Sequence, residues 1–215
     1  MSEVAVISAL PEAVDPELMA LPDPPVRARR ATLALFVCTA LVSALTLWGL
    51  RREAAFAMSS GEITRAGELR RAPTAELARN TGRVISGSGL LGAAGAVSFV
   101  RPFSPDLRYR LMPVAGRDDL WVEVRLPESE QGARWVPPHE VTGRLERLDG
   151  LGHRHRGLRA AVERVRGASL PADTYVIVNG DMPAGNQWAL VLAGLFLVSV
   201  FYNGLMAARL VRPAR

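Results

Sequence analysis

His153 and His155 are the residues whose spacing first suggests chemistry. Side chains at i and i+2 of an extended segment share a face, so this pair can offer two imidazoles to copper, zinc or a haem iron, with His139 as the remaining histidine. The single cysteine, Cys38, lies inside an apolar run, where it packs as a small hydrophobe. No recognised ligand spacing completes a metal set, and a solvated loop is the simpler reading of the pair. A haem or metal carrier working through His153 and His155 therefore stands as the alternative function, and no cofactor is assigned.

Other chemistry is thin. There is no G-x-S-x-G for a nucleophilic serine. Asp118-Asp119 reads as a hairpin turn rather than a carboxylate dyad. The Gly87–Gly92 stretch, GSGLLG, fits the dinucleotide pattern G-x-G-x-x-G. Only about seven residues separate it from Phe99, too few for the helix of a βαβ unit. An enzyme is not expected; an extracytoplasmic enzyme of unknown type is the second alternative.

The elements that must position these residues begin with two uncharged apolar runs, Ala31 to Leu50 and Trp188 to Ala208, of 20 and 21 residues. At about 1.5 Å per residue each reaches about 30 Å, the hydrocarbon thickness of a bilayer. Both are read as membrane helices, 27–50 and 188–208, the first as an uncleaved anchor because its leader and apolar core are too long for a signal peptide. Arg27, Arg29 and Arg30 flank the first run, and Arg209, Arg212 and Arg215 flank the second. The positive-inside rule then puts both termini in the cytoplasm, although Arg51 and Arg52 pull the other way. Trp48 and Trp188 fall at the outer ends, where indole rings prefer the interface. Localisation follows: a multi-pass protein of the inner membrane with its central domain periplasmic.

Residues 1–26 carry five prolines and are read as a disordered cytoplasmic tail, and 209–215 as a short cytoplasmic tail. Residues 51–80 read as a helical connector, with Thr74 capping a short helix after Pro73. Residues 81–187 read as an α+β domain. RVIS and AVSFV are strands; LRYRLMPV and LWVEVRL alternate and form a hairpin; EVTGRLERL follows, with Gly143 marking a bulge or close packing. Leu158, Ala161, Val162 and Val165 make a basic amphipathic helix that ends at Gly167; covering the sheet is the simpler reading of its apolar stripe, and lying on anionic lipid or docking an acidic partner is the alternative. TYVIVNG is the clearest strand. The uncharged stretch Val84 to Val100 has a competing reading as a third membrane helix, weakened by its glycines and serines. The expected architecture is two membrane helices flanking a small, mostly antiparallel α+β domain; since six short strands need their edges paired or covered, a partly closed barrel is one form that domain could take.

All 26 basic residues are arginine, and the segment 51–187 carries 20 Arg against 16 acidic residues, a charge of +4. The charges are dispersed on a domain expected outside the cytoplasm, so nucleic acid is not an expected partner. The bilayer is, together with a membrane-protein partner; whether a small molecule binds is left open. Trp121, Arg134, Trp135 and Tyr175 are candidate contacts, since aromatics and arginine dominate interface hot spots. Asn203, inside the second apolar run, is costly in lipid unless it is bonded, to the first helix or to a partner; near the end of the span, snorkelling is the simpler reading.

The layout resembles the surfeit-locus family of cytochrome c oxidase assembly factors: tail, membrane helix, extracytoplasmic β-rich domain, second helix. ARWVPP, Ala133 to Pro138, is similar to the family's Arg-Gly-Trp-Val-Pro segment without its glycine. EVTGRL is similar to its Val-x-Gly strand, and Asn186 to an asparagine before its second helix. The chain departs at Trp48-Gly49, where the family carries tryptophan-glutamine, and at the PESEQG loop before Ala133. The resemblance implies a role in building the haem-copper oxidase, with no catalytic residue to transfer. The expected function is that of a non-catalytic accessory or assembly protein of a membrane complex, the respiratory oxidase being the partner the resemblance names.

Overall fold

The computed structural model describes residues 26–101, 104–126, 135–151, 155 and 157–211. The N-terminal tail, the PESEQG loop, Arg134 and His153 lie outside the described residues. Two compact units result. One holds the chain up to Leu45 together with Phe196 onward; the other spans Thr46 to Leu195.

In the first unit run most of α1 (Val26–Ala57) and the C-terminal part of α4 (Gln187–Val211). Arg29 donates to the carbonyl of Leu210 through Nε at 3.1 Å and Nη2 at 2.6 Å. Further along, the hydroxyls of Ser43 and Ser199 meet at 2.9 Å. Contacts that pair position 29 with 210 and 43 with 199 make the two helices antiparallel. Asn203 is buried on the same seam, its amide donating to the Ser199 carbonyl at 2.7 Å and to its hydroxyl at 3.2 Å. The bond that Asn203 needs is thus found on its own helix. The outer faces remain uncovered: Leu45 is 71% exposed and Phe201 71%.

The second unit is α+β. Among the described residues its strands are β1 (Ile63–Glu68), β2 (Val84–Ser88), β3 (Val97–Arg101), β4 (Ser104–Pro113), β5 (Leu120–Leu126), β6 (Glu140–Arg147) and β7 (Tyr175–Asn179). They form one sheet in the order β1-β2-β6-β7-β5-β4-β3. The pairs β1·β2 and β5·β7 are parallel and the other four antiparallel. The α+β domain is present, but its sheet does not close into the barrel that is one reading of the sequence: β1 and β3 are opposite edges and each has one neighbour among the described residues. Both faces are covered instead, which removes the drive to curl. The β1 edge is broken by a bulge between Arg65 and Gly67, a usual defence of an unpaired strand.

The helical connector is also corrected. After α1 ends at Ala57 the chain makes β1, and only Thr74–Arg79 (α2) is helical. Thr74 does not cap α2; its hydroxyl donates to Asp119 at 2.8 Å. Val84 to Val100 contains β2 and β3 rather than a spanning helix. In the GSGLLG run, Gly87 is there for packing. A Cβ on it would lie 2.5 Å from Leu69 Cδ2 and 2.9 Å from the Gly67 carbonyl oxygen, so β1 and the turn after it can approach only a glycine.

Strand alternation sorts the core into two layers. Leu120, Val122 and Val124 of β5, with Val141, Leu145, Tyr175 and Ile177, face Leu69 and Leu77. Trp121, Leu111, Val176 and Val178 face the other way, under Leu158 and Val162 of α3 (Leu158–Arg166). Gly167 ends α3 at φ 69°, its N–H on the Glu163 carbonyl at 2.8 Å. Asp118 and Asp119 act as turn residues. Asp118 holds Arg166 at 2.5 Å. Arg117 grips Asp119 through Nε at 2.8 Å and Nη2 at 2.6 Å and also donates to the carbonyls of Leu69 and Ala72. The Arg117 hydrogen bond, against a smaller burial penalty, holds the Asp119 carboxyl below its ordinary range.

Candidate functional site

The second sheet face is apolar only under α3. Its other half carries charge. Glu123 of β5, Arg144 and Glu146 of β6 and Arg101 of β3 all occupy positions that alternate away from the first core layer. Cross-strand register sets Arg144 beside Val178 of β7, and Val178 beside Glu123. The last turns of α1 bring Arg52, Glu53 and Phe56 over Arg144, and the turn after β7 brings Asp181.

Glu123 is 1% exposed. Its Oε2 lies 2.6 Å from His155 Nε2, and its Oε1 accepts from Arg101 Nη2. His155 Nδ1 faces the Leu151 carbonyl at 3.3 Å. Phe99 packs edge-on to that imidazole at 5.7 Å and stacks on Tyr109 at 5.8 Å. Arg101 lies over the Tyr109 ring at 4.2 Å. Arg144, also buried, pairs with Glu53 at 2.9 Å and Glu146 at 2.6 Å, and sits over Phe56 at 4.3 Å. The Nε atoms of Arg101 and Arg144 are buried without a protein partner among the described residues.

Burial pushes the Glu146 carboxyl up against the pull of Arg144 and Arg52. Burial also pushes Asp181 up, although Asn186 donates to it at 2.6 Å. Asn186, singled out by its place before the second apolar run, is itself buried and ties Asp181 to the start of α4. A raised native pKa means that the folded state holds the Asp181 proton more tightly than the unfolded chain does. Stability therefore falls as pH rises from the ordinary value of 3.8 through the native one. Asp181→Asn keeps an acceptor for Asn186 and removes the titration. It is expected to be at least as stable as the parent at pH 7, with the difference vanishing below about pH 4. Urea unfolding of both chains at pH 4 and 7 checks the sign.

The residues singled out from the sequence are dispersed. Trp121 is fully buried on the α3 side, its Nε1 donating to the Asp118 carbonyl at 3.1 Å. Tyr175 is buried on the opposite face. Trp135 packs half-buried against that same layer, with Arg110 above its ring at 5.7 Å. Trp121 and Tyr175 thus serve packing and offer no face to a partner. Arg134 and His153 lie outside the described residues. His155 has both ring nitrogens engaged, and among the described residues no group of three or more His, Cys, Asp and Glu is placed to hold a metal ion.

Sequence reasoning missed Glu123, Arg144, Glu146 and Asp181. The available signal was the charged residue embedded in the otherwise apolar stretch of LWVEVRL. Chemically the cluster pairs its charges internally, and its histidine faces a carboxylate rather than a hydroxyl or thiol. Beside it opens a cleft of about 570 Å³ lined by Arg52, Arg144 and Arg147. Comparison with protein-family models, with curated proteins and with solved structures finds no match to this chain.

Proposed function

We propose that the chain is an integral membrane protein, anchored by α1 and α4, whose sheet domain lies outside the cytoplasm and acts as a non-catalytic accessory or assembly protein of a membrane complex. The observation that carries this reading is the outer surface of the two helices. Each is long and apolar enough to cross a bilayer, and almost none of its apolar window is buried against protein. Aliphatic side chains left open over that length need lipid to cover them. Three features support the rest. The antiparallel pairing of α1 and α4 suits a chain with both ends on one side, where the flanking arginines favour the cytoplasm. The buried Ser43–Ser199–Asn203 seam is the polar glue that helices use where lipid offers no hydrophobic drive. Among the described residues no nucleophile stands beside the histidine of the internally paired charge cluster, which favours a scaffold over an enzyme. The haem-copper oxidase named by the surfeit-locus resemblance is the first partner to test.

The anchored chain is expected to stay in membranes washed with alkaline carbonate. In a Cys38→Ser background, Ala172→Cys should react with a membrane-impermeant maleimide in cells whose outer layer has been permeabilised and whose inner membrane is intact. Release by carbonate, or labelling only after lysis of the inner membrane, would end this reading. Affinity purification in mild detergent after crosslinking is expected to bring a membrane complex with it. Migration as a lone monomer would remove the accessory role.

A further inference from the structure

The cleft beside the charge cluster has a composition that the packing does not explain. Three guanidinium groups line it, from Arg52, Arg144 and Arg147, against the carboxylates of Glu146 and Asp149. Most of these are already paired. Arg144 holds Glu53 and Glu146; Arg147 holds Asp173 at 3.1 Å; Asp149 holds Arg159 at 2.8 Å. Arg52 is different. It is exposed, makes no ion pair among the described residues, and has one long hydrogen bond, to the Gly150 carbonyl at 3.5 Å. The hydroxyl-bearing residues Ser59 and Thr81 also line the cleft.

Position gives the ligand class. Arg52 and Phe56 are four residues apart, on one face of α1. The uncharged run of α1 ends at Leu50, directly before Arg51 and Arg52. Trp48, with Arg51 over its ring at 4.0 Å, marks the same level. In the membrane reading this is the interfacial zone, where lipid phosphates lie and where Trp and Arg anchor helices. Guanidinium forks match phosphate oxygens in geometry and charge.

We propose that this cleft is a phosphate-ester site, occupied by the headgroup of an anionic lipid. Arg52 supplies the forked cation, and Arg147, whose pair with Asp173 is exposed, is the second cation of the rim; Arg144 stays buried between Glu53 and Glu146 beneath them. The lipid as source rests on the membrane reading; the phosphate chemistry does not.

The test uses the full chain, delipidated in neutral detergent. Binding of short-chain phosphatidylglycerol, short-chain phosphatidylcholine and glycerol phosphate is measured by calorimetry, and flotation with phosphatidylglycerol vesicles is run on the same preparation. Phosphatidylglycerol is expected to bind at least about ten-fold more tightly than either competitor. Arg52→Gln should weaken it about ten-fold, the scale of one charge-assisted pair, with the melting temperature unchanged because Arg52 is exposed. Glycerol phosphate binding as tightly as the lipid, through Arg52, would keep the phosphate site and reassign it to a soluble ester. Equal affinity for the two lipids with no effect of Arg52→Gln overturns the site. If the chain still floats, that failure leaves the anchor standing. A chain that does not float but binds glycerol phosphate through Arg52 loses the anchor and keeps the site.

Discussion

Glu123→Ala is expected to destabilise the sheet domain by about 3–5 kcal/mol, the cost of stranding the part-buried Arg101 guanidinium and the buried His155 ring when the carboxylate they share is removed. Glu123 sits at the centre of the sheet with 1% of its surface exposed, and both carboxylate oxygens are in use. Its removal leaves the Arg101 guanidinium with a further unpaired donor next to an Nε that already lacks a partner. His155 keeps only the long contact to Leu151. The size of the loss reflects the stranded groups rather than any large net gain from the pair. Replacing all three groups together, as Glu123→Leu with Arg101→Met and His155→Phe, should restore most of it, because a well-packed apolar set is often as stable as a buried ionic one. Urea unfolding of the full chain in detergent, followed by tryptophan fluorescence, measures both. A loss under about 1 kcal/mol for Glu123→Ala would mean that the cluster is open to water.

The contrast between what the sequence discloses and what it hides follows from the same strand. LWVEVRL, LRYRLMPV and TYVIVNG are legible because alternation or β-branched runs name them, and the structure has β5, β4 and β7 there. Alternation also implies one wet face, and this implication fails. Both faces are covered, so Glu123 and Arg144 are buried at positions whose polarity reads as solvent. The pairing partner is not local either: Glu123 meets a histidine 32 residues away, and Arg144 meets Glu53 across 91. His155 was visible as a chemical group, but its neighbour was not, so it read as a loop residue with metal ligation as the alternative. β1 was hidden for another reason. ITRAGE holds two apolar residues, Ile63 and Ala66, at helix-like spacing, and its strand state comes from parallel pairing to β2. Tertiary pairing overrode a weak local preference. The barrel expectation failed because it asked how edges are closed and not how faces are covered; α2 and α3 answer the second question.

Gly143→Ala is expected to abolish folding of the sheet domain, a loss above about 4 kcal/mol. Gly143 is central in β6, facing Ile85 of β2 on one side and Asn179 of β7 on the other. A Cβ there would fall inside the van der Waals surface of the Val178 carbonyl oxygen, 2.7 Å from its carbon and 2.9 Å from Asn179 Cα. These atoms are backbone and belong to the strand that also carries Tyr175 and Ile177 into the first core layer, so no side-chain rotation relieves the overlap. β7 would have to shift away, giving up its hydrogen bonds to β6 and lifting Val178 from between Arg144 and Glu123. The lack of room for one methyl group at Gly143 and the integrity of the charge cluster are therefore the same condition. Gly185→Ala is the control: nothing lies within 4 Å of its added carbon and its φ is not positive, so stability should change by less than about 0.5 kcal/mol. Expression of both variants with urea unfolding in detergent decides between them. A Gly143→Ala chain that unfolds with the parent's midpoint would show that β6 and β7 are not packed this closely, and the placement of Arg144 beside Glu123 would fail with it.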